Sequence, residues 1–197
     1  MTILKSMFEH PRGLPGWVGG LIMSYFTRAR NEWMLSLVNI QPIDQILEVG
    51  FGPGVMVYML AKQAFDGRVT GVDISTLMLS QASKRNREFI RARHVRLEKG
   101  SAMELPFADA SFDKAVCSNS IQLWPDSFTG LVEMRRVLRP GGQIAASIQP
   151  VWTKSRTDVK EIEGWLVELF QKAGLRNIEL KRKSMRPVDS LCALGIK

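Results

Sequence analysis

The stretch of sequence best suited to chemistry is ILEVGFGPGV, residues 46–55. An apolar run ends in a single acidic residue, Glu48, and glycine then occupies every second position at Gly50, Gly52 and Gly54. Glycines directly after a strand let the backbone turn tightly and approach a ligand without a Cβ in the way. At the carboxyl end of a parallel strand, this pattern is typical of a nucleotide-type site.

The spacing and the acidic residue indicate which ligand such a site would take. A dinucleotide-binding loop reads GxGxxG, but Val55 stands where its third glycine would be, and no Gly-Lys-Ser/Thr follows as in a Walker loop. Glu48 would repel a pyrophosphate and attract an amino group. Asp73 follows about twenty residues later, where a carboxylate can hold two ribose hydroxyls. A ribose with a cationic amine fits S-adenosylmethionine.

The elements that must position these residues follow from the hydrophobic pattern. From residue 45 onward, short apolar runs alternate with longer amphipathic ones, which predicts βαβ units and a parallel sheet. We expect the first of these helices to begin near Pro53 and Ser75 to cap the second. Residues 75–90 are predicted to form one helix. The RPGG run at 139–142 is expected to stop another helix, and Ala173-Gly174 is expected to end the last one.

Composition favours one globular domain with a basic surface. The chain has 197 residues, is 45% hydrophobic, and carries a net charge of +8. Its cations cluster at 28–33, 83–96 and 179–186, which we interpret chiefly as solvated surface. The same charge would attract nucleic acid, an anionic membrane or a small anionic molecule.

The compartment and the metal content are also constrained. The apolar stretch 14–26 has no small-residue cleavage site after it, so we expect a cytoplasmic protein with no transmembrane segment. Cys117 and Cys192 lie in apolar runs and are expected to be buried and reduced. Neither has a histidine or cysteine at metal-ligand spacing, so no metal is predicted. His10 and His94 are far apart in sequence, which disfavours a histidine-based nucleophilic site.

Four motifs in order resemble the class I S-adenosylmethionine-dependent methyltransferases, in the small-molecule branch related to ubiquinone and menaquinone biosynthesis. They are ILEVGFGPG, GVDIS, GSAMELPFADASFDKAVCSNSIQLWPD and EMRRVLRPGGQIAAS. The resemblance implies a Rossmann-like three-layer α/β/α sandwich. Its seven-stranded, mostly parallel sheet would have the order 3-2-1-4-5-7-6 and an antiparallel last strand. Residues 45–197 would form the S-adenosylmethionine-binding domain, and residues 1–44 an N-terminal helical lid segment.

The same resemblance implies roles for individual residues. Glu48 and Gly50 would lie by the methionyl amino group, Asp73 would hold the ribose hydroxyls, and Ile74 would cover one adenine face. The full set of implied cofactor-binding residues is Glu48, Gly50, Gly52, Gly54, Asp73, Ile74, Ser101, Ala102, Met103 and Asn119. Leu123 and Trp124 would approach the region of methyl transfer.

Two departures from the family pattern bear on chemistry. Ser101 stands where relatives commonly carry an aspartate, so the contact to the adenine amino group would be a weaker hydroxyl one. Trp124 stands where relatives often have a histidine, which removes a candidate general base. The catalytic residue is therefore left unassigned, with Trp124, Asn119 and His10 as pocket candidates.

The acceptor is expected to be a small molecule that is nucleophilic as it stands. Trp17, Tyr25, Trp124 and Trp152 are the predicted substrate-pocket residues, from the N-terminal segment, the stretch after the fourth strand, and the loop 149–157. A macromolecular acceptor and a non-catalytic cofactor-binding protein are the alternatives. The acceptor atom and the oligomeric state are left open.

Four residue roles also have structural alternatives. Asp73 could instead be a helix cap, and Asn119 could simply terminate its strand by local hydrogen bonds. Trp124 and Trp152 could be core aromatics.

Overall fold

The computed structural model describes residues 28–153 and 155–197 of the chain. Within them, seven strands form one sheet in the order β3-β2-β1-β4-β5-β7-β6. The strands are Gln45–Val49 (β1), Arg68–Asp73 (β2), Val95–Lys99 (β3), Phe112–Ser118 (β4), Leu138–Ile148 (β5), Arg176–Lys183 (β6) and Ser190–Ile196 (β7).

Helices cover both faces of this sheet. In the described ranges they are Arg28–Leu37 (α1), Val55–Gln63 (α2), Thr76–Arg85 (α3), Arg87–Arg91 (α4), Ser127–Val137 (α5) and Arg156–Lys172 (α6). A 3₁₀ turn, Ile121–Leu123, follows β4.

The strand directions and order confirm the predicted fold class. β1 pairs in parallel with β2 and β4, β3 is parallel to β2, and β5 is parallel to β4. β7 is antiparallel to both of its neighbours, β5 and β6. The carboxyl ends of β1 to β5 therefore meet at one edge, where open α/β sheets bind ligands.

Alternation along the strands builds two cores. Ile46 joins the cluster beneath α1, α2 and α3, whereas Leu47 joins the cluster beneath α5 and α6. Successive strand side chains point to opposite faces, so neighbours in sequence serve different layers. Cys117 and Cys192 are buried free thiols, as predicted.

One predicted helix start is confirmed, and two other predictions about helices are wrong. α2 begins at Val55 with Gly54 as its N-cap, close to Pro53 as predicted. The run 75–90 divides at Asn86, whose buried amide donates to the carbonyl oxygens of Gly54 and Ala82 at 3.1 and 2.9 Å. α5 ends at Val137, and the RPGG run lies inside β5.

Two other boundary predictions are confirmed. The Ser75 hydroxyl caps α3 by accepting from the Met78 N–H at 3.3 Å. Gly174, which directly follows the Ala173 C-cap of α6, has a φ of 73°.

Two features are absent from the described residues. No helix there is long and apolar enough to cross a membrane, and no cluster of three or more histidine, cysteine or carboxylate side chains could hold a metal ion. His10, Trp17 and Tyr25 lie outside the described residues. The lid role of residues 1–44 stays a prediction.

Candidate active site

The ends of β1 and β2 are tied together by one carboxylate. Asp73 Oδ2 accepts from the Gly52 N–H and its Oδ1 from the Ser75 N–H, both at 2.8 Å. Burial raises the pKa of Asp73, and the two N–H groups oppose that rise. Each carboxylate oxygen has a second lone pair. Asp73 therefore fixes the glycine turn and keeps acceptor capacity for ribose hydroxyls. Its alternative role as a helix cap is wrong, because Ser75 is the N-cap of α3.

The glycines of the motif are required for different reasons. A Cβ on Gly50, which has a φ of 76°, would lie 2.5 Å from Ser120 Cβ at the end of β4. A Cβ on Gly54 would lie 2.7 Å from Ala82 Cβ in α3. Gly50 therefore permits a close approach beside the site. Gly54 permits the packing of α2 on α3, a reason that involves no ligand.

Glu48 is a buried carboxylate with an oxygen to spare. Its side chain is 2% exposed and lies under the N-terminus of α2, where the Val57 N–H donates to it. Oε2 has no hydrogen-bond partner among the described residues. Burial raises the pKa of Glu48 well above its ordinary value and nearby Asp73 adds to the rise, while the Val57 N–H opposes it. A bound ammonium group would fit this carboxylate by supplying the missing partner.

The predicted adenine-binding residues follow neighbouring strand ends. Ile74 comes directly after β2 and is 68% exposed, which leaves its side chain open to a ligand. Ser101, Ala102 and Met103 follow β3, and the Gly100 N–H donates to the Asp73 carbonyl oxygen at 3.1 Å. Ser101 Oγ accepts from the Met103 N–H at 3.2 Å, so this hydroxyl also shapes its own turn.

Asn119 joins the ends of β4 and β5. Its backbone N–H donates to the Ser147 carbonyl oxygen at 2.7 Å, and its Oδ1 accepts from the Gln149 N–H at 2.9 Å. Its φ is 56°, a left-handed conformation that asparagine tolerates better than most residues. The local role weighed from the sequence is therefore present, and contact with a methionyl group stays a prediction.

The two tryptophans after β4 and β5 differ. Trp124 is half-buried; its Cε3 lies 2.5 Å from where a Cβ on Gly130 would be, and its Nε1 lies 3.9 Å from the equivalent point on Gly50. Trp124 therefore borders the glycine turn. Trp152 is 52% exposed, so its alternative as a core aromatic is wrong. It lies in a turn just beyond β5, open to solvent.

Sequence reasoning missed a buried polar pair on α1. The run 28–33 was interpreted as solvated surface, yet Arg30 is 5% and Asn31 3% exposed. They precede the fully buried Met34 and the buried Leu35 by four residues, and residues i and i+4 share one helix face. That spacing in the sequence was the available signal that Arg30 and Asn31 lie on the buried face of α1.

Arg30 and Asn31 reach the carboxyl ends of β4 and β5. Arg30 Nη1 donates to Gln149 Oε1 at 3.4 Å, and Arg30 Nε has no partner among the described residues. Asn31 Oδ1 accepts from Ser118 Oγ at 2.8 Å, and Ser147 Oγ donates to Ser118 Oγ at 3.3 Å. Burial lowers the pKa of Arg30 to about 10, so it is still charged at neutral pH.

His94 lies at the opposite edge of the sheet. It directly precedes β3, and its Nε2 is 2.9 Å from the Ala61 carbonyl oxygen. Of the chain's two histidines, His94 is therefore unsuited to act at the strand ends where the predicted cofactor-binding residues lie, and His10 is outside the described residues.

Known proteins share this sequence pattern. Residues 46–142 match the methyltransferase domain family. The uncharacterized methyltransferase YdaC of Bacillus subtilis is 31% identical over 181 residues, which cover 91% of this chain and 98% of that protein. The demethylmenaquinone methyltransferase of Bacillus velezensis is 38% identical over 111 residues, which cover 56% of this chain but only 47% of that enzyme.

Solved structures share the fold. Haemonchus contortus phosphoethanolamine N-methyltransferase 2, solved with S-adenosyl-L-methionine, superimposes with a TM-score of 0.74 at 18% identity, covering 92% of this chain and 57% of that one. The chain belongs to the class I S-adenosylmethionine-dependent methyltransferases. It is an enzyme of that family, whose methyl donor is S-adenosylmethionine.

Proposed function

We propose that this methyltransferase acts on a small molecule that is nucleophilic without help from a protein base. The observation that carries the proposal is the make-up of the sheet edge. Among the described residues, carboxylates and amides collect there, while His94 lies at the opposite edge. An acceptor reacting at this edge must supply its own reactive electron pair, as a phenolate, thiolate, amine or stabilised carbanion does.

The residues of the β1–β2 end (Glu48, Gly50, Gly52 and Asp73) would hold the donor. Glu48 Oε2 would accept from the methionyl ammonium, and Asp73 would accept from the ribose hydroxyls through the lone pairs that Gly52 and Ser75 leave. Ile74 would cover an adenine face. These contacts would fix the donor before the acceptor arrives. Positioning of this kind lowers the entropic part of the activation barrier.

S-adenosylmethionine held by these residues would supply a methyl group: the acceptor's electron pair would form the new bond to the methyl carbon as the carbon–sulfur bond breaks, and that bond's electron pair would return to sulfur. Trp124 borders the glycine turn, and Asn119 joins the ends of β4 and β5. Both would orient the acceptor and exclude water. The exposed Trp152 would form part of the pocket rim together with residues 1–44. The kinship with a demethylmenaquinone methyltransferase supports a flat aromatic acceptor.

Calorimetry with S-adenosylhomocysteine, followed by turnover on a metabolite panel, tests this function. The panel should contain phenols, hydroquinones, thiols and amines, with S-adenosylmethionine as donor. We expect S-adenosylhomocysteine to bind, a nicotinamide dinucleotide not to bind, and at least one acceptor class to be methylated. Binding of the dinucleotide without S-adenosylhomocysteine would overturn the donor assignment. Donor binding without turnover of any small acceptor would overturn the acceptor assignment.

A macromolecular acceptor is the second candidate, favoured by the net charge of +8 and the exposed cations of β6. Two of those cations are already paired: Lys181 with Glu179, and Arg182 with Glu163 and Asp189. We rank this candidate lower for that reason. Retention on RNA or DNA that weakens steeply with salt would support it. A cytoplasmic location stays a prediction.

A further inference from the structure

We propose that Arg30 binds a carboxylate of the methyl acceptor, so that the enzyme selects acceptors carrying an acid group. This inference rests on the proposed function, because it names the substrate class of the same site. It starts from a buried arginine on α1 that has no anionic partner among the described residues.

The position of Arg30 places it on the acceptor side of the site. Its Nη1 contacts Gln149, the residue directly after β5, and the Gln149 N–H reaches Asn119 after β4. Across the sheet, the order is β2, β1, β4, β5. Asp73 at the end of β2 and Gln149 beyond β5 are therefore three strand spacings apart, about 14 Å. With adenosine at the β2 end, Arg30 lies past the methionyl group, where an acceptor approaches.

The chemistry of the side chain suits a carboxylate. A guanidinium presents its N–H groups as a planar fork that can give two parallel hydrogen bonds to one carboxylate. Gln149 accepts from Nη1 only at the long distance of 3.4 Å, and the Nε–H has no acceptor among the described residues. A buried cation without a counter-ion is costly. An arriving carboxylate would remove that cost and make two strong hydrogen bonds.

The surroundings hold Arg30 in place before a ligand binds. Gln149 Nε2 donates to the carbonyl oxygens of Arg186 and Val188 at 3.1 and 3.0 Å, which orients Gln149 Oε1 toward Arg30. One residue along α1, Asn31 is fixed by Ser118, and Ser118 by Ser147. A receptor fixed in this way loses little entropy when its ligand arrives.

The carboxylate of the donor's own methionyl group is the other source of the same chemistry. In the methionyl group, the carboxylate and the amino group are attached to the same carbon atom. The amino group is assigned to Glu48, whose side chain lies under α2 at the end of β1. An arginine that contacts the residue after β5 is better placed for the acceptor. The experiment therefore needs one arm for each source.

Binding of paired probes to the full-length protein saturated with S-adenosylhomocysteine tests the acceptor arm. The probes are 4-hydroxybenzoate and 4-hydroxyphenylacetate, each compared with phenol, and calorimetry gives the dissociation constants. We expect the better carboxylate to bind wild type at least tenfold more tightly than phenol, and Arg30→Met to abolish that preference. Arg28→Met is the matched control on the same helix, because Arg28 is exposed and ion-paired with Glu32. It should keep the preference.

The donor arm compares S-adenosylhomocysteine with 5′-methylthioadenosine, which lacks the amino-acid carboxylate. If Arg30→Met weakens only S-adenosylhomocysteine, the carboxylate belongs to the donor and the proposal is overturned. Equal binding of phenol and both carboxylates to wild type also overturns it, while normal S-adenosylhomocysteine affinity would leave the proposed function intact. Arg30→Gln and Arg30→Lys guard against a folding defect: the lysine variant should keep part of the preference, and the glutamine variant none.

Discussion

The two ends of the site differ in the charge of the group that lacks a full set of hydrogen-bond partners. One is the β1–β2 end. The other, the β4–β5 end, consists of Ser118, Asn119, Ser147 and Gln149, with Arg30 and Asn31 of α1. At the first, the Glu48 carboxylate has an oxygen without a hydrogen-bond partner among the described residues. At the second, the Arg30 guanidinium has an N–H without one. Both are buried, so both cost stability in the absence of ligand. The difference in sign suggests two ligands: an ammonium-bearing donor at one end and a carboxylate-bearing acceptor at the other.

The largest effect is expected from adding a side chain where Gly50, at the β1–β2 end, closely approaches Ser120, just after β4. Gly50→Ala would place a Cβ 2.5 Å from Ser120 Cβ at a φ of 76°. We expect a loss of about 3 kcal/mol in the free energy of unfolding, from strain and overpacking together, and no measurable binding of S-adenosylhomocysteine. Chemical denaturation and calorimetry measure the two effects.

Gly141→Ala is the control for the backbone strain alone. Gly141 has a φ of 79°, but a Cβ there would meet nothing within 4 Å. It should cost only about 1 kcal/mol and leave binding intact. If both variants behave alike, the contact between Gly50 and Ser120 is not what shapes the site.

Glu48→Gln should weaken the binding of S-adenosylhomocysteine roughly 10- to 100-fold, because the ammonium group loses a carboxylate partner and keeps only a neutral amide oxygen. The same change should stabilise the ligand-free protein at neutral pH, because glutamine has no ionised form that burial disfavours. Calorimetry gives the affinity and thermal unfolding the stability. A variant that loses stability and keeps affinity would assign Glu48 to the fold instead of the site.

The pH dependence of stability follows from the same carboxylate. The folded-state pKa of Glu48 lies above its ordinary value of 4.5, so this group contributes stability that is present below pH 4.5 and is lost as the pH rises toward the folded pKa. The advantage of Glu48→Gln over wild type should therefore grow as the pH rises from 4.5, and saturation with S-adenosylhomocysteine should reduce it.

Glu133 gives the control of opposite sign. Its hydrogen bond with Arg136 holds the pKa of Glu133 below the ordinary value. Its contribution to stability is therefore present above pH 4.5 and is lost as the pH falls through the folded pKa. A Glu133→Gln variant should differ most from wild type at neutral pH and less in acid, and always as a destabilised protein.

Asn31→Ala tests whether α1 belongs to the β4–β5 end. It removes the acceptor of the Ser118 hydroxyl, which should cost about 1 kcal/mol of unfolding free energy and leave S-adenosylhomocysteine affinity unchanged. Ser36→Ala on the exposed part of the same helix, where Ser36 Oγ donates to the Trp33 carbonyl oxygen at 2.6 Å, should have no effect on donor affinity. A large loss of donor affinity in Asn31→Ala would show that the β4–β5 end also contributes to donor binding.

The smallest effect is expected from Ile74→Ala. Because Ile74 is 68% exposed, the free energy of unfolding should not change. The affinity for S-adenosylhomocysteine should fall about fivefold if this side chain covers adenine. Ile43→Ala is the control and should leave that affinity unchanged, because Ile43 is 71% exposed and precedes β1, away from the carboxyl ends of the strands. An unchanged affinity in Ile74→Ala would remove Ile74 from the set of predicted cofactor-binding residues.

Much of the fold was predictable because its signals are local. The alternation of short apolar runs and amphipathic runs predicted the strands and helices, and the motif order implied the strand order. The errors occurred where a partner distant in sequence decides the outcome. Asn86 divides a helix because its amide bonds to the glycine turn, and α5 gives way at Leu138 to a strand that pairs with β4.

The candidate site divides in the same way. The sequence by itself determined the β1–β2 end, because Glu48, the three glycines and Asp73 fall at the ends of consecutive strands, and such ends meet at one edge. Only the tertiary structure decided the β4–β5 end. Arg30 and Gln149 are 119 positions apart, and the spacing from Arg30 to Met34 indicates a shared helix face but not which distant residues cover that face. The sequence indicated that Arg30 is solvated, but the tertiary structure buries it and so makes it a candidate receptor for a carboxylate. The reason is that packing between segments distant in sequence sets the surroundings of a side chain.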